Sequence, residues 1–351
     1  MLPYCHRRTL RILLAAVAIA GFPSCGNDPL APAWTRDSLP VTGEVLFLSN
    51  RAGDANYLYI LNGDGTEALP VLPGQTAVHD ATWSHDGLTI AYTADVLYDS
   101  TAYGADIYLI GRYGALPWPL VTSRGSDRQP RWSPDDASIA FLSQREQPGH
   151  GIYVINADGT RERLLVAGDF PEEWGSWSPD GTSIVVTADT SGFMRLVDVE
   201  TGETTSLVEG HSPAYSPTGD WIAYHNHGIH LIKPDESEQR TLTSYGNGFR
   251  WSPQGQFLSF RDTDPYTPYA LEVIGVDGTG HRTIVQYQEY WRYIRDHSWS
   301  PDENYIVFGT ALDMNGFDTA IFVATLTDST ISVEQVTSFP GTNERPKWRP
   351  E

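Results

Sequence analysis

The residue types best suited to metal chemistry are concentrated in one short run, His225-Asn226-His227-Gly228-Ile229-His230. Imidazoles two positions apart lie on the same face of an extended strand, and with a distant carboxylate they can hold a transition metal. The sequence Asn226-His227-Gly228 nevertheless stands between two apolar runs, and this composition indicates a tight hairpin turn. His225 and His227 therefore remain metal candidates beside a turn interpretation, and we expect no cofactor.

Other catalytic motifs are absent from the sequence. It contains no Gly-x-Ser-x-Gly, no His-Glu-x-x-His, no glycine-rich phosphate loop and no Cys-x-x-Cys. The minimum parts of a serine hydrolase elbow, a zinc peptidase helix, a nucleotide site and a structural zinc site are therefore missing.

One repeated pattern must position whatever functional residues the chain carries. Its clearest copy is Trp177-Ser178-Pro179-Asp180-Gly181, followed by Thr182-Ser183 and the apolar run 184–186. Seven aromatic residues begin copies of this pattern at spacings of 36 to 49 residues: Trp83, Trp132, Trp177, Tyr215, Trp251, Trp299 and Trp348. Repeats of this period are typical of propellers and solenoids.

Each repeat predicts a four-stranded antiparallel unit. Pro fixes the first turn position, Asp is tolerated at the second, and Gly accepts the positive φ that follows, so the unit begins with a hairpin. A second apolar pair with an Asp-Gly turn comes later in each period, which gives four strands, as in one propeller blade. We predict an all-β, seven-bladed β-propeller, with six blades as the alternative, and we expect the repeat aromatics to pack between blades.

The two chain ends are predicted to share one blade. Val45-Leu46-Phe47 aligns with the second strand of a repeat, and Arg345–Arg349 aligns with a first strand. Pairing these fragments removes two unpaired sheet edges, so the last blade should take its inner strand from the C-terminus.

The repeated Trp-Ser-Pro-Asp-Gly and Ile-Ala-Phe signature resembles TolB-type, WD40-like β-propeller repeats over about residues 43 to 351. Related propellers occur in prolyl oligopeptidases and tricorn-like proteins. The resemblance implies the propeller fold, but it does not imply one activity.

The N-terminal segment is predicted to be a targeting signal. Arg7, Arg8 and Arg11 precede an apolar run from Ile12 to Phe22, which is shaped like the core of a secretory signal. Phe22-Pro23-Ser24-Cys25 resembles the lipobox of bacterial lipoproteins, which implies that Cys25 is lipidated; ordinary secretory cleavage is the alternative. We assign residues 1–24 to a signal peptide, 25–42 to a proline-containing tether and 43–351 to a single propeller domain.

Charge and localisation follow from these assignments. The formal net charge of −21 disfavours nucleic acid and anionic lipid surfaces as partners. We expect an exported monomer that contacts the membrane only through its lipid anchor. The resemblance favours the outer membrane, with the propeller in the periplasm or at the cell surface.

Candidate binding residues fall into two groups. Residues three positions before each repeat aromatic should ring the axial channel: Asp80, Gln129, Trp174, Ser212, Gly248, Asp296 and Arg345. Longer irregular loops should gather at the rim opposite the tight turns, where binding usually occurs. The candidates on these loops are Tyr98, Tyr103, Arg128, Glu172, Tyr245, Tyr290 and Trp291. The full set of binding candidates also includes four residues of the first group, namely Asp80, Trp174, Asp296 and Arg345.

Two functions can be distinguished from sequence, and a third, a structural module that only assembles a larger envelope complex, cannot be separated from the first. The first is a non-catalytic scaffold in the cell envelope that binds a protein, peptide or glycan through the irregular rim. The second is a metal-assisted polysaccharide lyase or hydrolase that uses the channel mouth. A polyanionic substrate would require a locally basic mouth, for which Arg128, Arg295 and Arg345 are the candidates.

Overall fold

The computed structural model describes residues 43–351 except 54, 63–67, 73–76, 98–102, 115, 146–148, 169, 171–173, 189–191, 263–268, 288–292, 317, 327–330 and 338–340. Within these residues the chain forms 28 strands in seven antiparallel four-stranded sheets and no helix. The predicted seven-bladed propeller is confirmed, and the six-bladed alternative is wrong. No helix in the described part of the chain has the length and hydropathy that a membrane span needs.

The first, inner strand of every blade ends at or beside a repeat aromatic. In chain order these strands are β4 (Val78–Trp83), β8 (Asp127–Trp132), β12 (Gly175–Trp177), β16 (His211–Tyr215), β20 (Asn247–Trp251), β24 (Ile294–Trp299) and β28 (Asn343–Trp348). The second strands are β5 (Thr89–Leu97), β9 (Ser138–Ser143), β13 (Ser183–Ala188), β17 (Ile222–His225), β21 (Phe257–Asp262), β25 (Tyr305–Ala311) and β1 (Glu44–Ser49).

The third and fourth strands complete each blade. The third strands are β6 (Tyr103–Gly111), β10 (Gly151–Asn156), β14 (Phe193–Asp198), β18 (Ile229–Ile232), β22 (Ala270–Gly275), β26 (Thr319–Leu326) and β2 (Tyr57–Asn62). The outer strands are β7 (Trp118–Val121), β11 (Arg163–Ala167), β15 (Thr204–Glu209), β19 (Gln239–Thr243), β23 (Arg282–Gln286), β27 (Ile331–Gln335) and β3 (Leu69–Pro70). We number the blades 1 to 6 from β4 to β27, and the last sheet is blade 7.

Blade 7 joins the two ends of the described chain, as predicted. Its strand order is β28-β1-β2-β3, with Val45 opposite Trp348 and Ser49 opposite Asn343. Asn343 is fully buried, and its Oδ1 accepts hydrogen bonds from Ser49 Oγ at 2.9 Å and Arg51 Nη2 at 3.0 Å. The ring is therefore closed by a buried polar contact as well as by strand pairing.

The tight turn after each inner strand is held by its own side chains. In blade 3, Ser178 Oγ donates to Asp180 Oδ1 at 2.6 Å and accepts from the amide of Ser183 at 3.0 Å. Asp180 Oδ1 also accepts from the amide of Thr182, while Gly181 adopts a φ of +72°. Because the turn satisfies its own polar groups, it fixes where the inner strand ends and the second strand begins.

The repeat aromatics pack between blades, as predicted. The indole Nε1 of Trp177 donates to the carbonyl of Arg131 in the preceding blade at 3.1 Å. Trp251 donates in the same way to Ala214 at 3.0 Å, and Trp83 to Lys347 at 3.3 Å. Each of these indoles fixes the backbone of the residue that stands just before the neighbouring aromatic, and those residues line the channel described next.

Candidate functional site

The central feature of the ring is an axial chamber of about 450 Å³. All seven blades contribute the residue immediately before the repeat aromatic to its wall: Thr82, Arg131, Ser176, Ala214, Arg250, Ser298 and Lys347. Because one equivalent position per blade lines the chamber, its chemistry is set by seven side chains that are far apart in sequence.

β-Bulges in the inner strands set which residues face the chamber. The pairing register of β8 with β9 shifts between Arg128 and Arg131, and equivalent shifts occur in β16, β20, β24 and β28. Four residues three positions before the aromatic adopt left-handed backbone conformations, with φ of +52° to +57°: Gln129, Ser212, Gly248 and Arg345. A bulge re-aims the side chains that follow it, so simple alternation along the strand does not predict the lining.

The chamber is basic although the protein is acidic. Three of its seven axial positions are Arg131, Arg250 and Lys347, in a chain whose formal net charge is −21. Arg250 Nη2 donates to Asp296 Oδ1 at 2.9 Å across the boundary of blades 5 and 6. Asp296 is the one carboxylate among the described residues that line the chamber, and Asp80 pairs with Lys347 beside it, so three cations face two carboxylates.

The remaining cations are positioned by contacts with neighbouring blades. Lys347 Nζ donates to Asp80 Oδ1 at 3.2 Å, which links blade 7 to blade 1. The guanidinium of Arg131 lies 5.2 Å from the ring centroid of Trp174, a cation–π geometry. These contacts hold the charged side chains at the wall. They therefore reduce the conformational entropy that these side chains would lose when a ligand binds.

The titratable groups of the chamber have clear charge states. Burial disfavours ionisation of Asp296, but the positive charge of Arg250, with contributions from Lys347 and from the hydrogen bond donated by the amide of His297, outweighs it and lowers the pKa of the carboxyl. Burial, reinforced by Arg250, lowers the pKa of His297 to about 3. His297 is therefore neutral at physiological pH, and its Nε2 lies 2.8 Å from Ser259 Oγ.

A second cavity of about 520 Å³ shares Thr82, Trp83, His85, Arg131 and Ser176 with the chamber. The rest of its wall consists of aromatic and proline residues with one serine: Trp132, Pro134, Trp177, Pro179, Tyr215, Ser216 and Pro217. The prolines belong to the tight turns, so the cavity lies at the tight-turn rim. Together the two spaces form an apolar mouth that leads to a basic interior.

The structure places the channel candidates at different depths. Asp296 and Ser212 line the chamber, whereas Asp80 reaches it through its contact with Lys347. Arg345 Nη1 is 3.8 Å from the same Asp80 carboxylate. Trp174 is completely buried, so it supports Arg131 rather than presenting a surface.

The irregular-rim candidates are only partly within the described residues. Arg128 is exposed in β8, while Tyr245 is half-buried and donates through its hydroxyl to Glu272 Oε2 at 3.1 Å. Tyr103 begins β6. Four rim candidates lie outside the described residues, as does the lipidation candidate: Tyr98, Glu172, Tyr290, Trp291 and Cys25.

The metal candidates lie in a hairpin of blade 4. His225 ends β17 opposite His211, and His227 occupies the turn to β18 with a φ of +55°. Over the described residues, no group of three or more His, Cys, Asp or Glu side chains is placed to share a metal ion.

Sequence reasoning missed Arg131, Arg250 and Lys347. The available signal was their common position, one residue before the repeat aromatic, where three of seven copies carry a cation. The sequence offered Arg128, Arg295 and Arg345 as the candidates for a basic mouth instead. Arg295 forms an ion pair with Glu344 at 2.6 Å and is not among the residues that line the chamber.

No family model matches the chain. It is similar to Uncharacterized peptidase YuxL of Bacillus subtilis, with 29% identity over 193 residues that cover 52% of this chain and 29% of the relative. It is also similar to Uncharacterized protein Atu1656 of Agrobacterium fabrum, with 30% identity over 192 residues, covering 48% of this chain and 65% of the relative. The matches thus span less than two thirds of either relative.

Solved structures share the fold at low sequence identity. TolB from Acinetobacter baumannii superposes with a TM-score of 0.54 and 17% identity, covering 88% of this chain and 82% of TolB. An oligogalacturonate lyase in complex with manganese gives 0.57 and 17%, covering 83% and 85%. A prolyl endopeptidase gives 0.62 and 13%, covering 86% of this chain and 50% of its own. The chain therefore has the TolB-like propeller fold, which proteins with several activities share.

Proposed function

We propose that this protein is a non-catalytic, TolB-like binding protein of the bacterial cell envelope that takes an acidic peptide segment into its axial chamber. The observation that carries the proposal is the placement of Arg131, Arg250 and Lys347 on the chamber wall of a strongly acidic protein. The bound segment would belong to an envelope protein, and Cys25 would supply the lipid anchor.

Electrostatics favour carboxylate ligands at the chamber and disfavour them elsewhere. The acidic surface repels anions, whereas the chamber concentrates positive charge behind low-dielectric walls, where a field is focused. Arg250 and Lys347 are only partly exposed, at 42% and 31% of their side-chain surface. Charge-assisted hydrogen bonds at such partly desolvated groups are stronger than at a fully exposed surface.

Shape favours an extended chain segment. A chamber of about 450 Å³ lies within the usual size of small-ligand sites, and the adjoining cavity of about 520 Å³ gives a passage to the tight-turn rim. Trp132, Trp177 and Tyr215 line this passage, together with the turn prolines. Apolar contact along the passage and charge pairing at its end match a peptide that carries acidic residues at its tip. The match to a relative named as a peptidase also favours peptide ligands over sugars.

The absence of turnover is proposed because the titratable groups of the chamber already have structural partners. Asp296 accepts from Arg250 and from the amide of His297, and His297 contacts Ser259. The competing function is a lyase or hydrolase acting on an acidic polysaccharide, for which the same cations would bind uronate groups. An oligogalacturonate lyase shares the fold, so the binding experiment includes trigalacturonate as a ligand.

Titration of the full chain with hexaglutamate, hexalysine and trigalacturonate tests the proposal. We expect hexaglutamate to bind, hexalysine not to bind, and affinity to fall as salt rises. Arg131→Gln and Lys347→Gln should each weaken binding by roughly tenfold, the equivalent of about 1.4 kcal/mol. Arg161→Gln, at an exposed position in the turn between β10 and β11, is the matched control.

Two outcomes would overturn this assignment. Equal binding by the wild type and the chamber variants would place the ligand elsewhere. Appearance of cleaved products in mass spectra of the hexaglutamate or trigalacturonate mixtures, abolished by a chelator, would favour the metal-assisted enzyme instead.

Envelope anchoring has a separate test. Metabolic labelling with a fatty acid should label the wild-type chain, and Cys25→Ser should abolish the label and release the protein from membranes. Retention of the Cys25→Ser protein in the membrane fraction without label would contradict lipid anchoring at this residue.

A further inference from the structure

A group of apolar side chains is exposed where blades 7 and 1 adjoin. Tyr113 and Leu116, in the connection between β6 and β7, are 85% and 84% exposed. Leu69 on β3, Leu88 in the tight turn of blade 1 and Trp118 on β7 are also exposed. We call these five residues the apolar corner. Exposed apolar side chains that cluster, rather than lie scattered, mark interaction sites on proteins.

Backbone contacts bring the members of the corner to one end of the ring. The amide of Arg112 donates to the carbonyl of Leu88 at 2.9 Å, which joins the two connections of blade 1. A Cβ on Gly114 would lie 3.4 Å from the carbonyl oxygen of Val71, two residues after Leu69. The loop that carries Tyr113 therefore lies against the outer edge of blade 7.

The chain enters the propeller beside this corner. Glu44 is the first residue of β1, and its Oε1 accepts from Arg112 Nη2 at 2.6 Å. Arg349 Nη1 lies 3.7 Å from Glu44 Oε2. Two cations therefore meet the Glu44 carboxylate here, while the carboxylate of Asp86 accepts from the amide of Leu88 at 2.9 Å.

We propose that the apolar corner rests on the surface of a lipid bilayer, as a second membrane contact beside the lipid anchor, which the sequence alone predicted as the only one. This inference rests on the envelope anchoring proposed above, because the residues that precede the corner include the apolar run Ile12–Phe22 and Cys25. A 17-residue tether from residue 26 to 42 can extend to roughly 60 Å, so it leaves the orientation of the domain open. Tyr, Trp and Leu are the side chains that partition into the interfacial region of a bilayer, and here they lie at the tether's exit.

This contact orients the ring without closing its chamber. Leu69 and Trp118 are on the outermost strands, so the domain contacts the bilayer through its outer wall at the tight-turn end. The axial mouth then stays open to solvent beside the membrane. The net charge of −21 favours a zwitterionic surface over an anionic one.

A position-specific fluorophore tests the proposal in the full chain. Cys5→Ser removes the one native thiol that lipidation would leave free, Cys25 is kept as the anchor, and an environment-sensitive bimane is attached at Leu116→Cys or at Met314→Cys. Met314 is 78% exposed and lies after β25, toward the opposite rim, so it is the matched control. On addition of phosphatidylcholine vesicles we expect a blue shift and quenching by brominated lipid at position 116, and no change at position 314.

Every other outcome overturns the corner as a membrane contact. No change at position 116, or equal changes at both positions, would place the contact elsewhere or nowhere. A shift at position 116 that needs no vesicles and grows with protein concentration would make the corner an interface between copies of the chain. Vesicle association without a shift at position 116 would reject the corner while leaving the anchoring proposal intact.

A second measurement uses unlabelled variants of the full chain. The double substitution of Tyr113→Ser with Leu116→Ser should weaken partition into phosphatidylcholine vesicles by roughly tenfold, and Met314→Ser should leave it unchanged. All three proteins should have the same melting temperature, because the replaced side chains are exposed. Equal partition of the double variant and the wild type would reject the proposal.

Discussion

Lys347 on β28 contacts Asp80 on β4, the inner strand of blade 1, at 3.2 Å, although 267 positions separate the two residues in sequence. The same lysine carbonyl accepts the indole hydrogen bond of Trp83. One residue of the C-terminal strand therefore both secures the ring and supplies a charge to the axial chamber. Ring closure and chamber chemistry are consequently coupled.

Ring closure should depend on Trp348. This residue is 7% exposed, and its ring stacks on Tyr305 with centroids 6.1 Å apart. Trp348→Ala should lower the free energy of unfolding by about 3–5 kcal/mol, measured by urea denaturation. Trp118→Ala makes the same change at a 43% exposed site and should cost much less. Deletion of residues 345–351 should remove cooperative unfolding; a truncated protein that melts like the full chain would contradict the closure.

Gly175 should be irreplaceable at the start of β12. Its φ is +152°, and a Cβ there would lie 1.7 Å from the carbonyl oxygen of Val185. Gly175→Ala should therefore destabilise the protein by at least about 3 kcal/mol in the same assay. Gly111→Ala is the control, because no heavy atom lies within 4 Å of its added Cβ, and it should change stability by less than about 0.5 kcal/mol. Similar losses in both variants would mean that β12 is not packed as described.

The free energy of unfolding should depend on pH because of His297, and this dependence should begin at a pH above the range in which carboxylates titrate. Its pKa is about 3 in the folded protein, because of burial and the charge of Arg250, against an ordinary value of 6.5. The unfolded chain therefore binds a proton below pH 6.5 that the folded chain does not, so stability falls as pH drops from 6.5 toward 3. The slope from this group approaches about 1.4 kcal/mol per pH unit.

Urea unfolding between pH 6.5 and 4.5 measures that slope. His297→Gln should be less stable at neutral pH, but its stability should change less steeply with pH. His227→Asn alters an exposed turn histidine and should keep the wild-type slope. Identical slopes for wild type and His297→Gln would show that His297 takes up its proton in the folded state.

Asp296 should limit the affinity of the chamber for anions. Its carboxylate accepts from Arg250, and neighbouring cations keep its pKa low, so it carries a negative charge at neutral pH. Asp296→Asn preserves an acceptor oxygen and should tighten hexaglutamate binding by roughly fivefold, about 1 kcal/mol, with a steeper salt dependence. Asp220→Asn, in the exposed turn of blade 4, should leave the affinity unchanged. If Asp296→Asn binds hexaglutamate with unchanged or lower affinity, the ligand does not bind at this wall of the chamber.

The blade architecture could be predicted because its determinants are local. The Ser178–Asp180 turn is built from side chains two residues apart, and it returns wherever the same short sequence returns. The composite blade could also be predicted, because Val45 and Trp348 each occupy an unfilled place in the repeat. These inferences required only spacing and turn chemistry.

The chamber wall could not be predicted in the same way. Repeat symmetry led to residues three positions before each aromatic, but bulges with left-handed Gln129 and Ser212 change which side chains of the inner strand reach the axis. Neither residue type signals a positive φ. The sequence therefore showed that the position directly before the aromatic recurs in every repeat, but it did not show that this position lines the channel.

The sequence by itself determined the blade architecture, its turns and the joining of the chain ends, because each depends on residues a few positions apart or on the recurrence of the repeat, whereas the structure decided between seven blades and six. Only the tertiary structure decided that Arg131, Arg250 and Lys347 share one chamber, and that Tyr113 and Leu116 flank the point where the chain enters the domain. The physical reason is that charge and exposure depend on distances across the ring, and these distances exist only once seven blades have closed around an axis.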